Sequence, residues 1–356
     1  MSQIKIKNQI IGENYPTYFI ADIAANHDGD LIKAIDLIHL AAEAGADVAK
    51  FQHFKASMIV SDYGFKSMQT KSSHQSVWKK SVFETYADAS VPDKWTSTLI
   101  NECKKANIEF FSSPYDFNSV DMLNKHGVKA HKIGSGDITW IEIIEHIAKS
   151  GIPVFIASGA SDITDVDRAM AVLKKYHVPT CLMQCNTNYT GSLENFNYIN
   201  LRVLKTYEKL YPDVVLGLSD HTPGHTTVLG AVSLGARVIE KHFTNDNKKD
   251  GPDHAFSLDP KSWREMVNSV RELECSLGLE EKKVEENEKE TIILQRRAIR
   301  LNNNLRKGHI LKRDDLSFLR PAANNSIPPY EIDKIIGQEL KVEKKYGDYL
   351  KYEDFK

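Results

Sequence analysis

Two histidines lie where they could share a metal ion. His221 and His242 each follow or end a strand-like run, and the 21 positions between them exclude a common helix face. If the two strands are neighbours, they lie about 4.8 Å apart, and both imidazoles could reach one ion at about 2.0–2.2 Å. Asp220 and Glu240 could then orient the rings. Either histidine alone would more often be structural, but the pair favours a metal site with open positions for a substrate oxygen.

Two lysines point to an anionic ligand in the same region. Lys50 and Lys132 lie near the ends of other strand-like runs, flanked by small or apolar residues. Two inward ammonium groups, together with serine and threonine hydroxyls, suit a small polyanion such as a phosphate or a carboxylate. The sequence therefore predicts a cationic pocket. The alternative is that one lysine forms a Schiff base with a carbonyl substrate.

Each of eight strand-like runs delivers polar side chains at its end. The set comprises Asp22, Asn26, His27, Lys50, Gln52, Ser112, Ser113, Lys132, Ser135, Asp137, Ser158, Gln184, Asn186, Thr187, Ser219, Asp220, His221, Glu240 and His242. Burying unpaired polar groups and charges in an otherwise apolar interior is costly. Their concentration at one end of the strands therefore indicates a catalytic site.

The elements that must position these residues follow a repeating pattern. Short apolar runs alternate with amphipathic helical patterns, and the runs cover 18–24, 47–52, 108–113, 130–135, 153–158, 180–185, 214–219 and 237–243. Such alternation predicts a parallel sheet, and eight units in this length predict an α/β fold, a (β/α)8 TIM barrel. A doubly wound open sheet is the alternative, but it would usually carry a Gly-rich phosphate fingerprint that this sequence lacks.

The chain of 356 residues divides into a barrel domain over 1–279, a charged linker over 280–290 and a small β-rich domain over 291–356. A domain of about 65 residues is marginal alone, so docking on the barrel or on a partner chain is expected. The stretch 53–92 is longer than the pattern needs, which predicts a functional loop beside the barrel. The turn after the eighth run carries Asp253, which could hydrogen-bond a polyol or could belong to a plain structural turn.

Composition excludes several function classes. The formal net charge is −2, which gives no global attraction to nucleic acid or to an anionic membrane. No apolar run is long enough to span a bilayer, and the first residues do not resemble a signal peptide. The four cysteines show no scaffold spacing. These features predict a cytoplasmic protein in a reducing compartment, without nucleic-acid or membrane partners.

Several motifs resemble those of the sialic acid synthase family, the phosphoenolpyruvate-dependent synthases of nine-carbon sugar acids. They are IADIAANHDGD, AGADVAKFQ, FFSSPYD, HKIGSGD, GLSDHT, EKHFT and GPDH, and they extend over nearly the whole barrel. The segment RKGHILKRDDLSFLRP resembles the antifreeze-like (SAF) domain that ends these enzymes. The resemblance implies condensation of phosphoenolpyruvate with an open-chain N-acylated amino sugar, giving a nonulosonic acid and phosphate.

The resemblance also implies roles for individual residues. His221 and His242 would hold a divalent metal, Mn²⁺ or Mg²⁺, that polarises the sugar aldehyde. Catalytic roles fall on Asp22, Lys50, Lys132 and Asp253. Substrate contacts fall on Gln52, Ser113, Tyr115, Ser135, Asp137, Ser158, Thr187, Tyr189, Ser219 and Arg320. In the family, an arginine of the SAF domain reaches the active site of the other subunit in a domain-swapped homodimer, and Arg320 holds that position.

Three positions depart from the family pattern: Asp22 replaces a glutamate, His53 a threonine, and Gln184 a histidine. Placed near the expected sugar, they favour a modified acceptor, such as a diacetamido-dideoxyhexose, at least as much as N-acetylmannosamine. Two rival functions remain open. One is another phosphoenolpyruvate aldol synthase, which would normally lack an SAF domain. The other is a non-catalytic carbohydrate-binding barrel, against which the retained lysines and histidines argue.

Overall fold

The fold is that of a computed structural model, which describes residues 3–68, 75 and 78–355. The chain forms two compact units, the first ending at Gly278 and the second beginning at Leu279. Within the described ranges, no helix is both long and apolar enough to cross a membrane.

The first unit is built on an eight-stranded parallel barrel, as the sequence predicts. Its strands are β3 (Tyr18–Asp22), β4 (Val48–His53), β5 (Glu109–Pro114), β6 (His131–Ile133), β7 (Val154–Ala157), β8 (Thr180–Cys185), β9 (Val215–Asp220) and β10 (Val238–His242). The order of hydrogen-bonded neighbours is β5-β4-β3-β10-β9-β8-β7-β6. The first and last of these strands, β3 and β10, pair directly, so the polar strand ends converge at one rim.

Amphipathic helices surround the barrel. The helices of this unit are α1 (Leu31–Ala44), α2 (Ala56–Ile59), α3 (Asp62–Ser67), α4 (Val82–Ala89), α5 (Thr96–Lys105), α6 (Phe117–Lys125), α7 (Ile141–Ala148), α8 (Ile163–Lys175), α9 (Val203–Leu210), α10 (Thr226–Ser233) and α11 (Pro260–Leu277). Local signals fix several ends. Asp30 caps α1 by accepting from the backbone N–H of Ile32 and Lys33, and Gly45 ends it with a left-handed φ of 97°. Such caps let the apolar stripes of the helices pack on the outer face of the strands.

An N-terminal hairpin closes the other end of the barrel, a feature that the sequence did not predict. Its strands are β1 (Gln3–Ile6) and β2 (Gln9–Gly12), which pair antiparallel. Ile4, Ile6 and Ile11 are buried and join the core inside the barrel. Because the hairpin fills that end with apolar side chains, the polar rim at the opposite end is the open one.

The segment predicted as a long loop after β4 is largely helical in its described part, where it forms α2, α3 and α4. A Ser81–Glu84 capping box starts α4. Residues 69–74 and 76–77, which also belong to the predicted loop, lie outside the described residues.

The second unit is small and has its own core. It contains α12 (Lys289–Gln295) and the antiparallel strands β11 (Ala298–Leu301) and β12 (Leu316–Leu319). The remaining regular structure consists of short 3₁₀ turns and isolated bridges. The buried side chains of this unit include Ile299, Leu311, Leu340 and Leu350.

Candidate functional site

A cavity of about 380 Å³ opens at the carboxyl ends of the barrel strands. Strand residues form its inner part, and loop residues surround its opening. Its lining includes Asp22, Lys50, Gln52, Phe54, Ile59, Gln75, Trp78, Tyr86, Ser113, Tyr115, Lys132, Ser135, Asp137, Cys185, Tyr189, Ser219, His221, Glu240, His242 and Asp253. This is the end of a (β/α)8 barrel at which enzymes of the fold carry their active sites.

The floor of the cavity, which we define as Asp22, Lys50, Lys132 and Glu240, is a buried network of opposite charges. Lys50 Nζ lies 2.7 Å from Asp22 Oδ2 and 3.7 Å from Glu240 Oε1. Lys132 Nζ lies 3.2 Å from the same glutamate oxygen. Glu240 therefore bridges the two lysines, and each of the four side chains is no more than 6% exposed.

These contacts set the protonation of the floor. Burial alone would raise the pKa of Glu240, but Lys132 and Lys50 beside it lower that pKa to about 2. Burial opposes the charge on Lys50, yet Asp22 and Glu240 raise its pKa above the usual value. Lys50 is therefore available as a cation to hold an anion.

The cavity is not the cationic pocket predicted from the sequence. Besides the two floor carboxylates, it is lined by Asp137 and Asp253. Burial raises the pKa of Asp137 to about 6 and that of Asp253 to about 7. The positive charge of the cavity lies at the two lysines, and each lysine has an acidic partner within the floor. An incoming anion must therefore be recognised by direct contact with the lysines.

The two predicted metal ligands lie side by side above the floor. The ring centroids of His221 and His242 are 5.3 Å apart. Burial lowers the pKa of each to about 3, helped in His221 by the other ring and in His242 by Lys50. Both imidazoles are therefore neutral near pH 7, the form in which the ring nitrogen can bind a metal.

The hydrogen bonds of these rings fit a metal site with open positions. His221 Nδ1 donates to the carbonyl oxygen of Asn186 at 2.9 Å, which leaves Nε2 with a lone pair. His242 Nδ1 is buried and has no hydrogen-bond partner. Its Nε2 lies 3.6 Å from Asp22 Oδ2. Within 3–68, 75 and 78–355, no group of three or more His, Cys, Asp or Glu side chains is arranged to bind a metal.

The mouth of the cavity, defined as Phe54, Ile59, Trp78 and Tyr86, is mainly aromatic. Phe54 packs against Tyr86 and Tyr115 at centroid distances of 5.4 and 5.8 Å. Trp78 packs against Tyr86 at 6.3 Å. All four mouth residues come from the segment after β4, so this segment is placed to contact the part of a substrate that is farthest from the floor.

The structure brings most predicted site residues to this cavity. Of the wider set at the strand ends, six other residues do not line it: Asn26, His27, Ser112, Gln184, Asn186 and Asp220. Of the residues to which the family resemblance assigns a role, three do not line it. The Ser158 hydroxyl donates to the carbonyl of Met183 and accepts from Tyr207, so it faces the wall rather than the cavity. Thr187 is not among the lining residues. Arg320 belongs to the second unit, where its Nε donates to the Gln295 carbonyl.

Two of the three departures from the family pattern also face away from the cavity, which corrects their predicted place near the sugar. His53 is buried between Ser112 Oγ at 2.7 Å and Thr96 Oγ1 at 2.9 Å. Gln184 donates to the Ile199 carbonyl at 2.9 Å. Only Asp22 among the three is a cavity residue, so His53 and Gln184 no longer argue for a modified acceptor.

Sequence reasoning placed Glu240 among the strand-end residues and allowed it to orient the rings, but it did not predict that Glu240 bridges the two lysines. It also missed the aromatic mouth. The position of Glu240, two residues before His242 on one strand, puts both side chains on the same face and could have indicated that it faces the cavity. The aromatic residues stand in a segment without regular periodicity, so no comparable signal marks them.

Known proteins resemble this chain over nearly its whole length. Residues 37–282 match the sequence model of the NeuB family, and residues 296–356 match that of the SAF domain. The N,N'-diacetyllegionaminic acid synthase of Legionella pneumophila is 35% identical over 96% of this chain and 95% of its own length. The N-acetylneuraminate-9-phosphate synthase of Homo sapiens is 31% identical over 93% and 90%. The crystal structure of the N-acetylneuraminic acid synthetase of Leptospira borgpetersenii, in complex with citrate, superposes with a TM-score of 0.71 and 30% identity, covering 82% of this chain and 95% of that one.

Proposed function

Because the chain belongs to the NeuB family and ends in an SAF domain, we propose that it condenses phosphoenolpyruvate with an open-chain N-acylated amino sugar. The products are a nine-carbon nonulosonic acid and inorganic phosphate. Relatives of this chain bear the names of synthases of legionaminic, pseudaminic and neuraminic acids, which supports the class of product.

One observation carries the proposal: a floor of two buried lysines bridged by one glutamate lies beneath two neutral imidazoles in a single cavity. The lysines are suited to the anionic groups of phosphoenolpyruvate. The imidazoles lie nearby, where the aldehyde of a second substrate would meet phosphoenolpyruvate. A reaction between an anionic three-carbon acid and an aldehyde uses both parts of the cavity.

The floor binds and orients phosphoenolpyruvate. Lys50 and Lys132 hold its carboxylate and phosphate, and hydroxyls of Ser113, Ser135 and Ser219 add hydrogen bonds at the cavity wall. Ser113 Oγ is buried and has no hydrogen-bond partner, which suits a hydroxyl reserved for a ligand.

The carbon–carbon bond forms from the electron pair of the enol double bond. C3 of phosphoenolpyruvate attacks the aldehyde carbon, and the carbonyl electron pair moves to the aldehyde oxygen, which takes a proton. Asp253, with its Oδ2 3.9 Å from His242 Nδ1, is placed to supply that proton. C2 of the enolpyruvyl unit is left electron-deficient, and the negative charges of Glu240 and Asp22 stabilise it.

Water then completes the reaction at C2. Its oxygen bonds to C2, and it loses a proton to Asp22, whose pKa burial raises against the opposing effect of Lys50. The adduct expels phosphate by cleavage of the C2–O bond, and loss of the hydroxyl proton leaves a ketone. One phosphoenolpyruvate, one aldehyde and one water thus give one sugar acid and one phosphate.

Lewis-acid polarisation of the aldehyde oxygen is the chemistry that a divalent cation supplies when it is bound by His221 and His242. The unpartnered, buried Nδ1 of His242 supports such a site. Mg²⁺ prefers oxygen ligands, so two imidazole nitrogens favour Mn²⁺. The Asn186 carbonyl accepts a hydrogen bond from His221 and so holds that ring in one tautomer.

We further propose that the working enzyme is a homodimer in which Arg320 of one subunit contributes to the cavity of the other. None of the described cavity residues is an arginine, and an arginine would add a bidentate donor for a polyol or an acyl oxygen. If the chain were another phosphoenolpyruvate aldol synthase, the SAF domain would have no role. If it were a binding protein, the floor network would have none.

The test is phosphate release from phosphoenolpyruvate, measured with Mn²⁺ across a panel of N-acylated hexosamines, with mass detection of the product. We expect stoichiometric phosphate and a product equal in mass to acceptor plus pyruvate. Phosphate release without such a product, or no release with any acceptor, would refute the proposal.

A further inference from the structure

A buried ion pair, which we call the brace, joins strand β9, which ends just before His221, to strand β10, which ends with His242. Lys241 Nζ lies 2.5 Å from Asp220 Oδ2, and the two side chains are 1% and 0% exposed. The residues are direct partners in the parallel pairing of β10 with β9. The ion pair therefore joins the strands at one defined register.

Two threonines complete the brace. Thr227, in the first turn of α10, donates to Asp220 Oδ2 at 2.7 Å. Thr222 Oγ1 donates to the same carboxylate, and its carbonyl accepts from Lys241 Nζ at 2.7 Å. The pair thus fixes strand β10, the loop that follows β9 and the start of α10 against one another.

The brace lies one residue away from each histidine. Asp220 immediately precedes His221, and Lys241 immediately precedes His242. Because successive side chains of a strand point to opposite faces, Lys241 faces the helix layer while Glu240 and His242 face the cavity. A change in the separation of the two strands at the brace would therefore also change the distance between the two imidazole rings.

Stability alone does not account for charges at this place. Apolar side chains such as Leu218, Ile239 and Phe243 are buried in the layer between strands and helices. Apolar residues of similar volume are often as stabilising as a buried ion pair, or more so. What hydrogen-bonded charges add is a fixed geometry, since their partners are specified atom by atom.

We propose that the Asp220–Lys241 pair is a positioning device that sets the separation of His221 and His242 and thereby the affinity of the site for a divalent cation. This inference rests on the proposed function, because it assigns the brace a task only if the two imidazoles bind a metal. Neither brace residue lines the cavity, so both act through the histidines that follow them.

The test compares Mn²⁺ binding to the full-length wild type and to the double variant Asp220→Asn/Lys241→Met, with free Mn²⁺ measured by electron paramagnetic resonance. Asparagine keeps the shape of aspartate and an acceptor oxygen, and methionine keeps the length of lysine without its charge. We expect Mn²⁺ affinity to fall by about 10- to 100-fold, the range typical of residues that orient metal ligands. We also expect kcat to fall more than the KM for phosphoenolpyruvate rises.

A matched control makes the same two substitutions in another ion pair of this chain. Lys344 Nζ lies 2.7 Å from Asp354 Oδ2 in the second unit. The variant Lys344→Met/Asp354→Asn should bind Mn²⁺ as the wild type does, because that pair is far along the chain from either histidine. Melting temperatures of both double variants report whether any loss of affinity comes from unfolding.

Each outcome is decisive. Wild-type Mn²⁺ affinity in a folded Asp220→Asn/Lys241→Met variant overturns the positioning role while leaving the metal site intact. Absence of Mn²⁺ binding to the wild type overturns the metal assignment itself, and the brace inference with it. If the double variant does not fold, Thr227→Val removes one hydroxyl from Asp220 and keeps both charges. It should weaken Mn²⁺ binding by a smaller factor, and unchanged affinity would again overturn the inference.

Discussion

The floor and the mouth of the cavity are built in different ways. The floor consists of charged side chains on barrel strands, paired with one another and almost wholly buried. The mouth consists of aromatic and aliphatic side chains from the segment after β4, several of them half-exposed. Charges held by paired strands can stabilise a developing charge without reorganising, whereas loop-borne apolar surfaces contribute shape and desolvation.

This difference suggests a division of tasks within one fold. We propose that the floor performs the chemistry of the proposed reaction and that the mouth selects the acceptor sugar. Barrel enzymes change specificity largely through the loops at this end. The comparison predicts that floor variants lose turnover with any acceptor, while mouth variants change the KM for the acceptor alone.

The largest effect is expected above the floor, at the histidines. His242→Ala removes one of the two nitrogens proposed to bind the metal, so kcat should fall by at least about 10³-fold and Mn²⁺ binding should be lost. Since His242 Nδ1 has no hydrogen-bond partner, the melting temperature should change little. Phosphate release and Mn²⁺ binding, measured on the same sample, check this. A variant that keeps full activity after removal of metal would contradict the metal site.

A variant of the floor should lower activity nearly as much and should also destabilise the protein. Lys132→Met removes a cation that faces the anionic substrate, and we expect kcat/KM to fall by about 10²- to 10³-fold for every acceptor. Glu240 is left with less compensation, so the free energy of unfolding should fall by about 3–5 kcal/mol. Steady-state kinetics and urea unfolding measure the two effects. Loss of activity with only one acceptor would contradict the claim that the floor acts on every acceptor and the mouth selects among them.

A mouth variant should have a smaller and more selective effect. Tyr86→Leu removes an aromatic face that lines the cavity. If that face packs on the acceptor, its loss is worth about 0.5–1.5 kcal/mol, which is up to about tenfold in the KM for the acceptor. The KM for phosphoenolpyruvate should stay the same. Tyr63→Leu is the matched control, because Tyr63 lies on the same segment but is 83% exposed. Equal changes in both KM values would show that the mouth does not act separately.

The smallest effect on turnover is expected at His53, which stands on a floor strand but faces outward. His53→Phe leaves Ser112 and Thr96 without their imidazole partner, at a cost of about 1–3 kcal/mol in unfolding free energy. Both KM values should be unchanged. A shift in either KM would place His53 in the substrate site after all.

The pH dependence of unfolding provides a second check on His53. Burial lowers its pKa from 6.5 to about 4, so the folded state favours the neutral ring. The stability that His53 contributes is therefore full above pH 6.5 and is lost as the pH falls towards 4. The difference in unfolding free energy between wild type and His53→Phe should narrow over that range.

The strand-borne part of the site could be predicted from the sequence because two simple rules apply to it. Barrel strands deliver functional groups at their carboxyl ends, and side chains two apart share a face. These rules located Lys50, Lys132, His221 and His242. The same alternation, applied from Gln52, would have turned His53 away from the cavity.

Other parts could not be predicted, for physical reasons. Phe54, Trp78 and Tyr86 are ordinary apolar residues until the chain folds back over the barrel, and no local pattern specifies that path. The N-terminal hairpin consists of two four-residue strands, too short for periodicity to distinguish. The direction of the Ser158 hydroxyl depends on Tyr207, a contact 49 residues away in sequence.

The most direct test of the proposed reaction follows one oxygen atom. Phosphoenolpyruvate labelled with ¹⁸O in the bridge between C2 and phosphorus is turned over with an acceptor that gives product, and phosphate is analysed by mass spectrometry. Addition of water at C2 followed by C–O cleavage predicts that the label leaves with the phosphate. Unlabelled phosphate, with ¹⁸O initially retained in the organic product, would mean cleavage of the P–O bond and would contradict the role assigned to the floor.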